Sequence, residues 1–378
     1  MKNHCVPLLI ASTLLLAASC APAAKTQAPA AAASAQTIKV TEIASGLGFP
    51  WGAAILPDGS ILVTERDGRL RVIRDGKLVE APITGVPAVL NDGQGGLFDV
   101  ALHPDFATNG LVYLSFAKGT KSSNHTAVVR GKFDGKALTN VEPVFDAVPE
   151  RQTQAHFGGR LLFMPDKTLI VTLGDGYKYR DKAQDLSSDL GKIVRITDTG
   201  APAPGNPFSG QAGKRAEIYS YGHRNVQGIA RDPVSGTLYA HEHGPKGGDE
   251  VNVIQPGKNY GWPVITYGVD YSGAPISLES KRDGMEQPLV YWVPSIAPSS
   301  MVFYTGNLFP QWKGDLLVTA LAGQQIRRID LENGTVKAQE TLLTEREERY
   351  RAIVQAPDGS LIVLTDDPEG KVLRLSPN

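Results

Sequence analysis

Three motifs crowd into the stretch between Tyr221 and Pro263: Tyr221-Gly-His-Arg-Asn-Val-Gln-Gly228, His241-Glu-His-Gly-Pro-Lys-Gly-Gly-Asp-Glu250 and Lys258-Asn-Tyr-Gly-Trp-Pro263. They combine imidazoles, carboxylates, a guanidinium and many glycines with little apolar periodicity, so this stretch is not core. Glycines let backbone carbonyls approach a ligand closely, and oxygen-rich loops carrying Asp and Glu are what a hard cation such as calcium requires. Four further segments are of the same kind: Asn91–Pro104, Gln154-Ala-His-Phe-Gly-Gly-Arg160, Leu173-Gly-Asp-Gly176 and Glu348-Arg-Tyr-Arg351. His156 is flanked by small residues in a loop motif, which favours exposure to a ligand. Asp175 taken alone would be a turn former. Arg349 and Arg351 alternate along a strand and so share a face; if that face lines a channel, two neighbouring cations need an anion between them.

The elements that must position these residues are strands. From Thr37 onward, short alternating runs such as Ser60–Glu65 and Leu70–Arg74 are separated by Asp-Gly turns, and no stretch predicts an amphipathic helix of several turns. Leu56-Pro-Asp-Gly-Ser-Ile-Leu-Val-Thr64 recurs at His103, Met164, Arg231 and Phe309, and again at Ala356-Pro-Asp-Gly-Ser-Leu-Ile-Val-Leu364. Six copies, roughly 45 to 80 residues apart, predict an all-β, six-bladed β-propeller with long inter-strand insertions. The first strand, Ile38–Ile43, and the last, Lys371–Leu375, are expected to share a blade and remove the open sheet edge. The insertions lie between the second and fifth copies, where the polar motifs also lie, so the loops should converge on one pocket at the central channel.

The formal net charge of the 378 residues is −1, which gives no reason to expect a nucleic-acid partner. The only cysteines, Cys5 and Cys20, precede the folded part, which therefore has no disulfide, no thiolate metal site and no Cys-x-x-Cys-His haem attachment. Lys2 and His4 precede an apolar run from Val6 to Ala18, too short for a membrane-spanning helix of about 20 residues. It reads as a secretory signal over residues 1–20. Leu16-Ala-Ala-Ser-Cys20 resembles a bacterial lipobox, whose cysteine is lipidated; ordinary cleavage near Ala21–Ala23 is the alternative. Either way the expectation is export to the periplasm, with a lipid anchor at Cys20 in the first case. Residues 21–36 form an Ala/Pro-rich linker too poor in large apolar residues to fold alone, leaving 37–378 as the folded domain.

Taken in order and spacing, Gly-His-Arg-Asn-x-Gln-Gly, His-Gly-Pro…Asp-Glu-x-Asn and Asn-Tyr-Gly-Trp-Pro resemble the soluble quinoprotein glucose and aldose-sugar dehydrogenases, from about Thr41 to Pro377. That resemblance implies a propeller that uses pyrroloquinoline quinone (PQQ) and calcium. It makes His156 the general base that takes a hydroxyl proton as hydride leaves, a task suited to an imidazole. Asp175 then orients His156, and Arg224 stabilises charge on the quinone oxygen. Gln94, Gln184, Asn225 and Ser295 become polar contacts to PQQ, while Arg349 and Arg351 bind its carboxylates. The carbonyls of Gly244 and Pro245 match ligands of the catalytic calcium. Glu250, Tyr260, Asp270 and Glu286 match a second, structural site, and Asp249 suits either. One departure is Ala322, where the family carries a lysine that contacts the cofactor.

The sequence therefore predicts an enzyme that oxidises the anomeric hydroxyl of an aldose to the lactone. With no haem or dinucleotide-binding motif, electrons must pass to an external acceptor. Two rivals are a calcium-dependent lactonase or esterase, which has no use for Arg349 and Arg351, and a non-catalytic propeller that binds a carbohydrate or protein, for which Ala322 argues.

Overall fold

The computed structural model describes Met1 and residues 37–378; the lipobox at Cys20 and the linker at 21–36 lie outside the described residues. Six four-stranded antiparallel sheets stand in a ring. After β1 (Ile38–Leu47), the first blade comprises β2 (Pro50–Ile55), β3 (Ile61–Glu65), β4 (Arg69–Arg74) and β5 (Lys77–Leu78). The second holds β6 (Leu97–Leu102), β7 (Leu111–Gly119), β8 (Asn124–Phe133) and β9 (Leu138–Asp146). The third holds β10 (Gly158–Phe163), β11 (Leu169–Leu173), β12 (Lys192–Ile196) and β13 (Ile218–Tyr221). The fourth holds β14 (Val226–Arg231), β15 (Leu238–Glu242), β16 (Asp249–Ile254) and β17 (Val290–Trp292). The fifth holds β18 (Pro298–Phe303), β19 (Leu316–Ala320), β20 (Gln325–Glu332) and β21 (Thr335–Leu342). The sixth holds β22 (Tyr350–Gln355), β23 (Leu361–Thr365) and β24 (Gly370–Pro377), and β1 completes it by pairing with β24 from Ile38↔Pro377 to Leu47↔Gly370.

The repeated Pro-Asp segment is the turn between the first two strands of a blade. In the first blade Leu56 N–H donates to Ser60 O at 2.8 Å and Asp58 Oδ1 accepts from Ser60 N–H at 2.9 Å; Ala356, Ser360 and Asp358 repeat this in the sixth. At His103 and Phe309 the turn instead opens into short helices, Phe106–Asn109 and Pro310–Trp312. The second strands β3, β11, β15, β19 and β23 are buried along their whole length, because a blade is covered on both faces by its neighbours. Six apolar clusters result, one between each adjacent pair of blades.

A single guanidinium ties the ring together at its axis. Arg160, on β10, donates to Gln227 O at 2.8 Å, Ser299 O at 2.6 Å, Arg351 O at 3.1 Å and Asp99 Oδ1 at 3.3 Å, and lies 4.0 Å from the centre of the Trp51 ring. These partners sit on β14, β18, β22, β6 and β2, so one side chain touches the innermost strand of every other blade.

Candidate active site

Each innermost strand carries a β-bulge near its start, at Pro50/Ala53, Leu97/Val100, Gly158/Leu161, Val226/Gly228, Pro298/Ser300 and Tyr350/Ala352. Bulges re-aim side chains. The start of an innermost strand and the end of its antiparallel neighbour lie at the same end of the blade, which gathers the polar motifs at one mouth of the channel. His156 enters β10 and Asp175 follows β11. His156 Nδ1 and Asp175 Oδ1 are 2.6 Å apart, and Asp175 also accepts from Trp262 Nε1 at 2.8 Å and Tyr177 N–H at 2.7 Å. Burial alone would raise the Asp175 carboxyl, but the His156 hydrogen bond and the charges of His156 and Arg224 outweigh it and hold it below the usual range. An ionised carboxylate only accepts, so the proton lies on Nδ1 and the Nε2 lone pair of His156 is free. Burial lowers the imidazole below its ordinary 6.5, Asp175 opposes this, and the cations Arg224 and Arg151 add to the lowering. Neutral histidine is the state a base needs.

His156 has a left-handed backbone, φ 58°, and its N–H donates to Gln94 Oε1 at 2.8 Å. Gly174 must be glycine here, since a Cβ would lie 2.1 Å from the His156 carbonyl oxygen. Strain of this kind is kept where the surroundings over-determine it, commonly at functional sites.

Beside this couple lies a cavity of about 280 Å³. Trp51, Phe98 and Phe157 form an aromatic wall, with ring centroids 5.4 and 5.6 Å apart along the series. Gln94, Asn225 and Gln227 add amides and His243 an imidazole, Gly158, Ala297 and Leu321 add small or apolar surface, and Arg66, Arg349, Arg351 and Asp366 supply the charge. Arg349 and Arg351 do converge, but the anion between them is the protein's own: Asp366 Oδ2 accepts from Arg349 Nη2 at 2.8 Å and Oδ1 from Arg351 Nη2 at 3.3 Å. Aromatic walls and clustered guanidiniums fit a flat, multiply anionic ligand such as PQQ.

Arg224, entering β14, borders an adjoining recess with Glu242, Gly244, Glu250 and Trp262. Its Nη1 donates to Gly244 O at 2.6 Å and His243 O at 3.1 Å, and the guanidinium lies 5.3 Å from the Trp262 ring. His223 packs beneath, bonded to Glu242 and Ser220 and stacked on Tyr260. Gly244 lines this recess, and its carbonyl, which suits a hard cation, is taken by the Arg224 guanidinium in this structure. The electrostatics favour a cation: Glu242 faces Glu250 across the β15–β16 ladder, and burial together with Glu242 pushes the Glu250 carboxyl up to about 8, a repulsion that a divalent cation would relieve.

Several sequence-selected residues have other partners. Both Asp249 oxygens are taken, Oδ1 by Gly244 N–H and Ser295 Oγ, Oδ2 by Ile296 and Ala297 N–H, so Asp249 and Ser295 pin the two loops together. Gln184 lies outside the cavity lining, its amide paired with Asn259 and with Trp262 O. Tyr260 bonds its hydroxyl to Val253 O and Gln255 N–H, Asp270 caps its own turn at Ser272, and Glu286 pairs with Lys258 at 2.9 Å. Among the described residues no three His, Cys, Asp or Glu side chains are gathered for a metal. Sequence reading missed Asp366, Arg66 and the aromatic wall. Asp366 follows an ordinary strand, and Arg66 sits in the unremarked run Glu65-Arg-Asp67.

The glucose / sorbosone dehydrogenase family model matches residues 47–374. Aldose sugar dehydrogenase YliI of Escherichia coli is 43% identical over 352 residues, covering 91% of this chain and 94% of the relative. The crystal structure of the soluble aldose sugar dehydrogenase from E. coli in its apo-form superimposes with a TM-score of 0.87 at 42% identity, covering 90% of this chain and 100% of the other. The PQQ-bound form of aldose sugar dehydrogenase from Streptomyces coelicolor gives 0.77 at 32% identity, with 92% and 99% covered.

Proposed function

This chain belongs to the glucose / sorbosone dehydrogenase family, and from that premise we propose that it oxidises the anomeric hydroxyl of aldose sugars to lactones with PQQ and calcium. The observation that carries this reading is the His156–Asp175 couple set beside a cavity with aromatic walls and an arginine rim. When bound, PQQ supplies a quinone that accepts hydride, and calcium supplies a Lewis acid that polarises it. Arg349 and Arg351 would hold the cofactor carboxylates, with Gln94 and Asn225 beside the ring system. The Gly244 and Pro245 carbonyls would hold the calcium.

His156 Nε2 takes the proton of the sugar hydroxyl, and the imidazolium that forms is stabilised by Asp175, which Trp262 and the Tyr177 N–H hold in place. Arg224 presents a fixed positive charge toward the same region, favouring states in which negative charge develops. Electrons then pass to an external acceptor. A lactonase would have no use for the clustered guanidiniums. We also read the protein as exported to the periplasm and lipid-anchored at Cys20, which the mass of the mature N-terminus tests.

The function itself is tested by adding PQQ and calcium to purified protein and screening aldoses with an artificial electron acceptor. Sugar-dependent reduction that requires both additions is the expected result. Lactone hydrolysis without PQQ would establish the rival.

A further inference from the structure

Three guanidiniums line the cavity and only one carboxylate faces them. Arg349 and Arg351 share Asp366. Arg66 has no salt-bridge partner among the described residues, although it lies between two acids in sequence. Both acids are committed elsewhere: Glu65 to Arg69 at 3.0 Å and Arg71 at 3.2 Å, and Asp67 to Arg69 at 2.9 Å. The Arg66 guanidinium instead rests on an aromatic ring. It lies 4.4 Å from the centre of the Phe49 ring, a cation–π arrangement. Phe49 is itself anchored, its N–H donating to Asp367 O at 2.9 Å and its O accepting from Arg66 N–H at 3.2 Å. Gly96 has no Cβ to meet the Arg66 carbonyl oxygen, which would lie 2.1 Å away, so β6 can approach this closely. A guanidinium that lines a ligand cavity, stacked on a ring and with its neighbouring carboxylates paired elsewhere, is available to an anion.

We infer that Arg66 is a third cofactor-binding cation, meeting a carboxylate of PQQ that the Asp366-shared pair leaves over. The inference rests on the PQQ reading, and the test separates the two. PQQ is titrated into the calcium-loaded wild type, Arg66→Ala, Arg66→Lys and, as the reference for the arginine pair, Arg351→Ala, with binding followed by quinone absorbance rather than turnover. Arg66→Ala should bind roughly ten- to a hundred-fold more weakly, the loss that removing a charged hydrogen bond predicts. Arg66→Lys should recover part of this by keeping the charge, and the salt dependence of binding should flatten in Arg66→Ala alone of the two. Arg66 is half-buried at a loop, so melting temperature should hold and show that the fold is intact. If the wild type binds PQQ and Arg66→Ala binds equally well, the inference is wrong and the cofactor reading stands. If the wild type does not bind PQQ, both fall.

Discussion

Replacing Arg160 by Met would keep an apolar stem at the channel axis but remove the group that every other blade touches. Its four hydrogen bonds to Gln227, Ser299, Arg351 and Asp99 would go together, and Asp99, 8% exposed, would be left without its counter-ion. Stripping one partner from a buried pair costs about 3–5 kcal/mol, a large part of the roughly 5–15 kcal/mol that holds a fold together. The expected fall in melting temperature is about 5 °C, read by calorimetry on cofactor-free protein. The pH dependence gives a second handle. Burial already raises the Asp99 carboxyl above its ordinary value while Arg160 opposes this, so losing Arg160 raises it further. A carboxyl raised in the folded state stabilises most below its unfolded value and loses that contribution as pH rises through the folded one. The deficit of Arg160→Met should therefore be larger at pH 8 than at pH 5. Adding Asp99→Asn should recover much of it, since the amide needs no counter-ion and can still accept from Leu161 N–H. A loss under about 1 kcal/mol, or no recovery in the double variant, would show that Arg160 does not tie the blades together.

In PQQ-loaded protein the acid limb of the pH–rate profile should lie below pH 6.5. Asp175→Asn should move it lower still, because the carboxylate that favours the protonated imidazole is gone; an upward move would contradict the assignment. The accompanying rate loss should be smaller than the roughly 10²–10⁴-fold expected from removing the base itself. Thorough chelation should lower the melting temperature and abolish turnover, with calcium restoring both and magnesium restoring them poorly because of its stricter octahedral demand; insensitivity of both would remove calcium from the account. Ala322 is exposed beside the cavity-lining Leu321, so Ala322→Lys should tighten PQQ binding in the same titration used for Arg66, and an unchanged affinity would show that this slot does not reach the ligand.

The blades were legible because their signals are local. A Pro-Asp turn and a period-two strand are complete within about ten residues, and β1 and β24 announced ring closure by being the first and last such runs. His156 stood out by its loop motif, but its pairing with Asp175 was legible only through the family resemblance. Strand alternation put Arg349 and Arg351 together, whereas Arg349 lies just before β22 and a bulge follows at Tyr350/Ala352, so their convergence is set by that loop and by Asp366. What could not be read is where loops from six blades meet. Asp366 lies in an ordinary strand-end sequence, yet its carboxylate bridges the two arginines. Asp249 and Ser295 have types suited to ligand contact, but each spends its hydrogen bonds on joining one loop to another. Arg160 stood inside a motif already singled out, and nothing in its neighbours reports that it lies on the axis. That position follows only from closing the ring.

Whether His156 takes the hydroxyl proton of the sugar is decided by transient kinetics. His156→Asn suits the purpose, because Asn tolerates the left-handed φ of 58° and can still donate to Asp175, yet it cannot act as a base. Wild type and variant, both loaded with PQQ and calcium to measured full occupancy, are mixed with aldose in a stopped-flow instrument and the quinone absorbance is followed, so that a slow external acceptor cannot mask the chemical step. Cofactor occupancy should be undiminished and reduction slowed by at least roughly 10²-fold. Reduction at the wild-type rate in fully loaded His156→Asn would contradict it and leave the histidine a structural residue.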